Sequence, residues 1–560
     1  MDLKSRRLFF HEEYPSPRGA FKSMGYGGDG FKKPIIGIAN SFSELVPGHT
    51  NLRELADWVK RGIYAGGATA VEFGVMATCD CLSSGHKGMY YSLPSRDIIA
   101  DEIEAVAETS LLDGIIMLGS CDKIVPGMLM AAARLDIPSV LLCGGPMLSG
   151  LPFDGRNSDL TSLTEAYGLF KTGKIARDDL TLLEDQCAPT CGSCQFIGTA
   201  NTMCCLAEVL GLSLPGSAAI PAVYSERKRA AQAAGEAIAD LVIKGIRPSA
   251  IITRQSIQNA IMALNAIGGS TNAVLHLLAL AHEVDIPSEE VLGWFESYGM
   301  TTPLVAKIYP ASKYTMQDFY LSGGMPQVLK ELEPLLFTDC MTATGQTMGE
   351  NIKNYPYIFK PDREIIKPVS EPFGTGTGVA ILRGNLAPDT CVTKPAAIHP
   401  SQHLFTGKAV VFDSEEAATE AIVAEKIKSG DVVVIRYEGP KGGPGMREMF
   451  SAMKLLYGFG LGTTTAVITD GRFSGTNNGC FVGHISPEAF AGGPLAIVEN
   501  GDEITIDIPN RVLTLHVSDE AIERRFKDWK APELKYKKGH LARYAKMAQS
   551  ASTGGILKLD

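Results

Sequence analysis

The sequence predicts an α/β protein with an N-terminal α/β domain on a mainly parallel sheet and a C-terminal β-rich, barrel-like domain. In the first half of the chain, short apolar runs bounded by glycine alternate with helical patterns, which is typical of parallel strands covered by helices. The last third contains closely spaced β-rich runs and few helical patterns. A length of 560 residues is sufficient for more than one such domain.

Three apolar runs near the N-terminus are predicted strands, at residues 34–40, 112–120 and 139–145. Helical patterns are predicted between and around them, at residues 52–67, 98–110 and from 128 to 134. Ligands of parallel sheets bind at the carboxyl ends of the strands. The polar or glycine-rich sequence that follows each run therefore predicts a site at that edge.

The segment from residue 340 to about 372 is polar, contains prolines and is weakly periodic, which indicates a domain boundary. We therefore divide the chain into an N-terminal domain (1–345), a linker (346–372) and a C-terminal domain (373–560). The β-rich runs of the C-terminal domain lie about ten residues apart and often look like hairpins. These runs are residues 378–384, 408–413, 431–437, 464–470, 496–508 and 511–517.

Composition excludes several classes of protein. The chain has 52 basic and 62 acidic side chains, and a net charge of −10 argues against a nucleic-acid-binding protein. No apolar run approaches the roughly 18 to 20 residues of a membrane span. The N-terminal segment has charges on both sides of its short apolar patch, unlike a signal peptide, so we expect a cytoplasmic protein. In such a chain, 12 cysteines indicate metal binding or catalysis rather than disulfides.

Several cysteines lie beside acidic residues and glycine, a context that suits the thiolate ligands of an iron–sulfur cluster. One local pattern, Cys187, Cys191 and Cys194, has the C-x3-C-x2-C spacing of radical-SAM enzymes. Ser193 stands where those enzymes usually have an aromatic residue, and the motif lies deep within the α/β domain, so this interpretation is not favoured. Small buried hydrophobes are the simpler interpretation of five further cysteines: Cys143, Cys204, Cys205, Cys340 and Cys391.

Three acidic residues, Asp80, Asp122 and Glu448, indicate a second kind of site. Two aspartates beside candidate cluster cysteines would bring a hard cation such as Mg²⁺, which prefers oxygen ligands, close to the thiolates. Taken singly, each is more simply interpreted as a surface carboxylate. Lys123 is unsuited to a cation site unless its charge is altered or it faces away.

Ser474 follows a predicted strand in the loop sequence TDGRFSG (469–475). A serine hydroxyl is a poor base in water and acts as one only where a metal or a positive field stabilises its alkoxide. Without such a field, Ser474 is an ordinary turn residue. A glycine-rich loop at 439–448 could present backbone N–H groups to a carboxylate or phosphate, but it is not a Walker motif.

Together, these stretches resemble the dihydroxy-acid dehydratase / phosphogluconate dehydratase family over nearly the whole chain. The matching motifs occur in the expected order and are long enough to be specific. They include NSFSELVPGHTNLRELADWVKRGI, SSGHKGMYYSLPSRDIIADEIE, GSCDKIVPGML, GSCQFIGTANTM, AIGGSTNAVLHLLALA, GVAILRGNLAPD, YEGPKGGPGMREM and TDGRFSG with GHISPEA.

The resemblance implies an iron–sulfur cluster and Mg²⁺ that cooperate in a dehydration. Cys121 and Cys194 match the family's cluster cysteines. Asp80, Asp122 and Glu448 match its Mg²⁺ ligands. The resemblance also implies an N-terminal α/β domain, a C-terminal barrel-like domain and a homodimer or homotetramer.

The same resemblance gives roles to further residues. Lys123 matches a lysine that is carbamylated in the family, which would convert a cation into an anionic oxygen ligand. Ser474, in the C-terminal domain, matches the proton acceptor. His49 and His86 are candidates for lining the pocket, and for His484 we expect a structural role.

The third cluster ligand is the main departure from the family. Gly48 stands where many relatives have a cluster cysteine, whereas Cys79 resembles a cysteine of the phosphogluconate branch. We therefore predict Cys79, Cys121 and Cys194 as ligands. Three thiolates leave one iron open to substrate, which favours a 4Fe–4S cluster, although a 2Fe–2S cluster is possible. Cys81 is an alternative to Cys79, because residues two apart on an extended strand share a face.

The predicted activity is that of a hydro-lyase, which removes water from a small 2,3-dihydroxy carboxylate to give a 2-oxo acid. The residues of the matching motifs favour the dihydroxy-acid branch, whose reaction belongs to valine and isoleucine biosynthesis. Cys79 and the polar residues 476–478 favour the alternative, a dehydratase of sugar acids such as gluconate, xylonate or 6-phosphogluconate. A non-catalytic iron–sulfur redox sensor is a remote alternative, because it would not need Ser474 together with the three carboxylates.

Overall fold

Four parallel strands form the central sheet of the N-terminal part of the chain. The computed structural model describes residues 3–475 and 479–558. The strands are β1 (Ile35–Asn40), β2 (Thr69–Gly74), β3 (Gly114–Gly119) and β4 (Ser139–Cys143), arranged in the order β2-β1-β3-β4. Strands β1, β3 and β4 are buried throughout, as expected of strands covered on both faces. The prediction of a mainly parallel sheet is confirmed, and the unpredicted β2 forms one edge.

Helices precede and connect these strands. They are α1 (Arg6–Phe9), α2 (Pro15–Ser23), α3 (Leu52–Ala65), α4 (Ser92–Thr109) and α5 (Ile124–Leu135). Helices α4 and α5 begin before the predicted starts at Ile98 and Met128. Pro94 and Pro126 lie in their first turns, where a missing N–H breaks no intrahelical bond, although proline interrupts the apolar pattern in the sequence.

The rest of the N-terminal part is largely helical. The helices are α6 (Ser162–Lys171), α7 (Arg177–Gln186), α8 (Thr199–Val209), α9 (Ser225–Lys244), α10 (Pro248–Ile251), α11 (Arg254–Ala266), α12 (Asn272–Glu283), α13 (Ser288–Thr301), α14 (Met316–Leu321), α15 (Gly324–Leu332) and α16 (Met348–Asn354). Two short pairs add strands β5 (Pro152–Phe153), β6 (Arg156–Asn157), β7 (Pro303–Leu304) and β8 (Gly374–Thr375). Because side chains alternate along β1, Ile36 packs in the core with α3 and α9, whereas Ile35 packs in the core with α4 and α5.

A closed eight-stranded barrel forms the C-terminal part. Its strands are β9 (Ala380–Gly384), β10 (Ala387–Thr393), β11 (Leu404–Phe412), β12 (Asp431–Ile435), β13 (Ala466–Thr469), β14 (Cys480–Ser486), β15 (Glu503–Asp507) and β16 (Val512–Leu515). Their order around the barrel is β10-β14-β13-β12-β11-β15-β16-β9. The accompanying helices are α17 (Glu415–Val423), α18 (Phe450–Gly458), α19 (Asp519–Asp528) and α20 (Gly539–Met547). The predicted barrel-like domain is confirmed.

Hairpins are rarer in the barrel than expected. Strands β9 and β10 pair antiparallel, as do β15 and β16, but β11, β12, β13 and β14 are parallel neighbours. Parallel neighbours need a crossover connection, and α17 and α18 lie in two of these connections. The long loops of these crossovers carry the candidate site residues of the barrel.

The two parts of the chain are in direct contact. Helix α6 crosses α18 at a pair of glycines, where a Cβ atom on Gly168 would lie 2.6 Å from Cα of Gly458. Near the C-terminus, the carbonyl oxygens of Gly554 and Gly555 accept hydrogen bonds from Arg96 of α4, at 3.0 and 3.1 Å. The division at 1–345, 346–372 and 373–560 stays a prediction. In the described part of the chain, no helix is both long and apolar enough to cross a membrane.

Candidate active site

A cavity of about 580 Å³ lies where loops of the N-terminal sheet meet loops of the barrel. The loop after β2, the turn after β3 and the start of α8 contribute to it from the N-terminal part, and the loops after β12 and β13 contribute from the barrel. Seven of the eight predicted site residues line the cavity: Cys79, Asp80, Cys121, Asp122, Cys194, Glu448 and Ser474. The eighth, Lys123, lies directly behind them.

The three predicted carboxylates come together in space, although they lie far apart in the chain. Asp80, Asp122 and Glu448 each offer an oxygen within 4.8 Å of the others. The Nζ atom of Lys123, which is fully buried, lies 2.7 Å from Oδ2 of Asp80 and 3.5 Å from both Oδ2 of Asp122 and Oε1 of Glu448. The carboxylates therefore surround the lysine that the sequence singled out as unsuited to a cation site.

Arg472 is a second buried cation at this cluster, and sequence reasoning missed it. Its Nη1 lies 2.5 Å from Oε1 of Glu448, and its Nη2 lies 3.6 Å from Oδ2 of Asp80 and donates to Oγ of Ser92 at 3.0 Å. Burial alone would raise the pKa of Asp80, but Lys123 and Arg472 outweigh it and lower that pKa to about 2. The position of Arg472 in the TDGRFSG motif is a signal in the sequence that this residue has a role in the site. That signal is easily missed, because an arginine is normally expected at the surface.

The carboxylate cluster fits Mg²⁺ by the chemistry of its donors. Three carboxylates face two cations, so one negative charge is left in a buried place, where uncompensated charge is costly. Burial accordingly raises the pKa of Asp122 and of Glu448. A hard divalent cation, which prefers oxygen ligands, would neutralise this excess of negative charge. If Lys123 became an anionic carbamate, the negative charge to be neutralised would be larger still.

Four thiols line the same cavity: Cys79, Cys81, Cys121 and Cys194. None of them forms a disulfide. Burial raises the pKa of the Cys79 thiol to about 11 and raises the pKa of the Cys121 and Cys194 thiols well above the ordinary value. Such thiols are protonated at neutral pH unless a metal binds and displaces their protons. This set of soft donors fits an iron–sulfur cluster.

Cys79 and Cys81 are the two candidates for the third cluster thiolate. Both line the cavity, Cys79 half-buried and Cys81 exposed. The prediction that Cys79 and Cys81 lie on one extended strand is wrong. Residues 80–85 form turns, in which Oγ of Ser83 donates to the carbonyl oxygen of Cys79 at 3.2 Å and Oγ of Ser84 to that of Asp80 at 3.0 Å.

Gly48 and His49 lie directly behind Cys121. A Cβ atom on Gly48 would lie 2.9 Å from Sγ of Cys121, so glycine leaves space beside this thiol. The Nδ1–H of His49 donates to the carbonyl oxygen of Ser41 at 2.7 Å, and its Nε2 accepts the N–H groups of Ser120 and Cys121, each at 3.2 Å. Burial lowers the pKa of His49 to about 4, so the ring is neutral. His49 supports the Cys121 turn and does not line the cavity.

The other two histidines also lie off the cavity lining. His86 is exposed and caps a short turn, where its Nδ1 accepts the N–H of Gly88 at 3.0 Å. His484 is fully buried near Arg472, with a backbone φ of +57°, and burial lowers its pKa to about 3. The expected structural role of His484 is consistent with this burial.

Ser474 lies in the loop between β13 and β14 and is almost fully buried, at 9% exposure. Its carbonyl oxygen is 3.3 Å from Oγ1 of Thr199, and the carbonyl oxygen of Phe473 is 3.4 Å from Oγ1 of Thr271. These contacts hold the barrel loop against the N-terminal part. Residues 476–478, on which the sugar-acid alternative partly rests, lie outside the described residues.

Part of the cavity lining is strongly apolar. Leu160, Phe196 and Phe450 contribute large side chains, and Thr161 and Ala200 lie beside them. Within the described residues, the lining contains no lysine, arginine or histidine. The cavity therefore combines polar groups that are suited to holding a metal with space for an aliphatic group.

The glycine-rich loop at 439–448 does present backbone N–H groups to a carboxylate, but that carboxylate belongs to the protein. The N–H groups of Lys441 and Gly442 donate to the two carboxylate oxygens of Glu488, each at 2.9 Å. Glu448, at the end of this loop, belongs to the carboxylate cluster. Of the C-x3-C-x2-C cysteines, only Cys194 lines the cavity.

Comparisons with known proteins cover almost the whole chain. A family model described as dihydroxy-acid/6-phosphogluconate dehydratase N-terminal matches residues 33–351, and the corresponding C-terminal model matches residues 364–555. Similar curated proteins include the dihydroxy-acid dehydratases of Caldanaerobacter subterraneus (50% identical over 545 residues), Acetivibrio thermocellus (49% over 543) and Methanococcus aeolicus (47% over 541). Each alignment covers 97% of both chains.

Proposed function

Because the chain belongs to the dihydroxy-acid/6-phosphogluconate dehydratase family, we propose that it removes water from a 2,3-dihydroxy carboxylate to give a 2-oxo acid. We further propose that the substrate is a branched-chain dihydroxy acid of valine and isoleucine biosynthesis. Full-length relatives that carry the name dihydroxy-acid dehydratase support this assignment. A cytoplasmic homodimer or homotetramer is part of the proposal, and light scattering would test the assembly.

The observation that carries the proposal is the shared cavity of three carboxylates, four thiols, Ser474 and an apolar wall. A phosphorylated sugar acid would need a cationic partner, and an aldonate would need several hydrogen-bond donors along its chain. Leu160, Phe196 and Phe450 offer neither, but they suit the methyl and ethyl groups of a branched-chain acid. This composition favours the branched-chain substrate over a sugar acid.

Cys79, Cys121 and Cys194 would hold the iron–sulfur cluster, with a 4Fe–4S cluster favoured and a 2Fe–2S cluster possible. Asp80 and its two partner carboxylates would hold Mg²⁺, with a carbamylated Lys123 as a further oxygen ligand. When bound, these Lewis acids would polarise the carboxylate and hydroxyl oxygens of the substrate, which makes the C2 proton more acidic and the C3 hydroxyl a better leaving group.

Ser474 would take the proton from C2 of the substrate. Loss of the C2 proton and of the C3 hydroxyl group, which leaves as water, gives an enol, and transfer of the enol proton to C3 gives the 2-oxo acid. The carbon chain is neither oxidised nor reduced by another molecule. Arg472, a buried cation two residues before Ser474 in the same loop, would contribute to the positive field that such a serine needs to lose its proton.

The test is anaerobic reconstitution followed by measurement of 2-oxo acid formation from 2,3-dihydroxy-3-methylbutanoate, gluconate, xylonate and 6-phosphogluconate. We expect the branched-chain acid to have the highest kcat/KM, and Ser474→Ala to lose activity while it keeps the cluster absorbance. Higher kcat/KM on a sugar acid would replace the substrate assignment with the alternative. No product from any of the four acids would overturn the dehydratase activity.

Iron and sulfide analysis of single variants tests the choice of cluster ligands. We expect Cys79→Ser, Cys121→Ser and Cys194→Ser to lose most of the bound iron, because each removes a thiolate ligand. Cys81→Ser should keep it. Cys391→Ala, which alters a buried cysteine inside the barrel, is the matched control. Iron loss in Cys81→Ser with retention in Cys79→Ser would exchange the two assignments.

A further inference from the structure

Asn272, the first residue of α12, connects the candidate metal site to the N-terminal part. It is fully buried. Its Nδ2 donates one hydrogen to Oε1 of Glu448 at 2.7 Å and the other to Oγ1 of Thr199 at 2.9 Å. The mechanism above uses neither Asn272 nor Thr199. Both hydrogens of one amide therefore serve residues of the cavity.

Thr199, the first residue of α8, continues the connection towards the candidate base. Its Oγ1 lies 3.3 Å from the carbonyl oxygen of Ser474 and 2.9 Å from Oγ of Ser270. Because Asn272 donates to this hydroxyl, the hydroxyl proton is available to one of these acceptors. A chain of contacts thus runs from Glu448 through Asn272 and Thr199 to the backbone of Ser474.

The orientation of the Asn272 amide distinguishes positioning from simple packing. Its Oδ1 is buried and has no hydrogen-bond partner among the described residues. Leaving a buried amide oxygen unpaired is unfavourable, because it loses its hydrogen bonds to water without replacement. The reverse orientation would aim Oδ1 at the Glu448 carboxylate, which is repulsive. The hydrogen bonds from Nδ2 to Glu448 and Thr199, rather than any contact of Oδ1, therefore set the orientation of the amide.

The contacts with Glu448 are also selective for one oxygen. Asn272 Nδ2 and Arg472 Nη1 both donate to Oε1. Within residues 3–475 and 479–558, no hydrogen bond reaches Oε2. Two donors on one oxygen fix the rotation of the carboxylate and leave the second oxygen for another ligand.

We propose that Asn272 and Thr199 are positioning residues that hold Glu448 and the Ser474 loop in a fixed relation, with Oε2 of Glu448 directed to a divalent cation. The inference rests on the proposed function, because it assigns these residues to the cation site and the base of that reaction. Removal of hydrogen-bonding partners behind a metal ligand typically weakens metal binding or activity about 10- to 100-fold.

The experiment measures Mn²⁺, a visible substitute for Mg²⁺, by electron paramagnetic resonance titration of the full-length wild type, Asn272→Ala and Thr199→Val. We expect the Kd for Mn²⁺ to rise about 10- to 100-fold in Asn272→Ala, with kcat lowered more than KM is changed. Thr199→Val should lower kcat with a smaller effect on Mn²⁺ affinity. The double variant should lose less than the product of the two single losses, because the residues act in one network.

Asn259→Ala is the matched control. Asn259 is equally buried, donates from Nδ2 to the carbonyl oxygen of Phe337 at 2.9 Å and does not line the cavity. It should lower the melting temperature without changing the Kd for Mn²⁺. If Asn272→Ala and Thr199→Val both kept the wild-type Kd for Mn²⁺ and the wild-type kcat, the inference would be overturned, whereas the proposed function would stand. Absence of Mn²⁺ binding by the wild type would instead overturn the proposed cation site, and the inference with it.

Discussion

At the scale of single residues, Lys394 carries a buried charge with no counter-charge among the described residues. Its side chain is fully buried, and its Nζ donates to the carbonyl oxygen of Gly475 at 3.1 Å. Burial lowers the pKa of Lys394 to about 7. The folded protein therefore disfavours the ammonium form, which the unfolded chain holds up to a much higher pH.

The sign of the resulting pH dependence follows from this difference. Below pH 7 both states hold the proton, and the folded state has the full cost of a buried ammonium, on the order of a few kcal/mol. As the pH rises towards 10, the folded state loses its proton and the cost declines. We expect Lys394→Met to raise the melting temperature at pH 6 by several degrees more than at pH 10.

Thermal unfolding of Lys394→Met and wild type at a series of pH values checks this expectation. Lys408→Met is the control, because Lys408 is exposed and pairs with Glu503 at the surface. It should change the melting temperature little at any pH. An equal effect of Lys394→Met at both pH values would show that the buried amine does not titrate as described.

Residues of the site differ in how well the sequence reveals them. Asp122, Glu448 and Ser474 belong to long motifs, and their surroundings in the cavity match the roles predicted for them, although those roles stay predictions. Arg472 and Asn272 also belong to motifs, but their importance depends on contacts across the cavity. Spacing in the chain does not reveal which carboxylate a buried arginine or amide will meet.

At the scale of elements, the crossing of α6 and α18 determines one wall of the cavity. Gly168 and Gly458 allow the two helix backbones to approach closely. Phe450 at the start of α18 lines the cavity, and so does Thr161 directly before α6. The separation of the two helices therefore sets the distance between parts of the apolar lining.

Gly458→Ala should separate these helices. The new Cβ atom would lie 2.9 Å from the carbonyl oxygen of Glu165 and from Cα of Gly168, both backbone atoms that cannot turn away. We expect a lower melting temperature, despite a gain of up to about 1 kcal/mol in helix propensity, and a KM raised severalfold. Calorimetry and steady-state kinetics measure the two effects.

Gly293→Ala is the matched control for this substitution. Gly293 lies inside α13, and a Cβ atom there meets nothing within 4 Å. It should leave KM unchanged and stabilise the protein slightly through helix propensity. If Gly458→Ala behaved in the same way, the close crossing would have no bearing on the cavity.

Strands were predicted well where burial is uniform and poorly where it is not. The continuous apolar runs of β1, β3 and β4 identify central strands of a parallel sheet. Strand β2 is half-buried at the edge of the sheet and contains Glu72, so it has no such run. Similarly, the sequence of β11 to β14 indicates strands but not their parallel pairing, which depends on the crossover connections between them.

At the scale of the whole molecule, a buried network of charges joins the two parts. Nζ of Lys454 in α18 lies 2.8 Å from Oε1 of Glu165 in α6 and 3.3 Å from the hydroxyl oxygen of Tyr309. Nη2 of Arg156 lies 2.9 Å from Oε2 of Glu165. Tyr309 of this network lies against Phe196, which lines the cavity, with the two ring centroids 6.3 Å apart.

Lys454→Met should weaken the joint between the two parts. It leaves Glu165 buried with one cation fewer, and breaking such a pair costs about 3 to 5 kcal/mol. We expect a loss of roughly that size in the free energy of unfolding, measured by urea denaturation. Lys537→Met removes an exposed pair with Glu533 and should cost less than about 1 kcal/mol. Equal losses in the two variants would contradict the proposed importance of the network.

The hydrogen bonds of Arg96 to Gly554 and Gly555 also have a consequence for the order of events during synthesis. Arg96 leaves the ribosome early, but its two acceptors are 458 and 459 residues further along the chain. Contacts of such long range form late, because most of the chain must be present first. Helix α4, which begins at Ser92 beside the carboxylate cluster, therefore reaches its final surroundings only after residues 554 and 555 have been synthesised. We expect metal loading to follow synthesis of the barrel rather than to accompany growth of the N-terminal part.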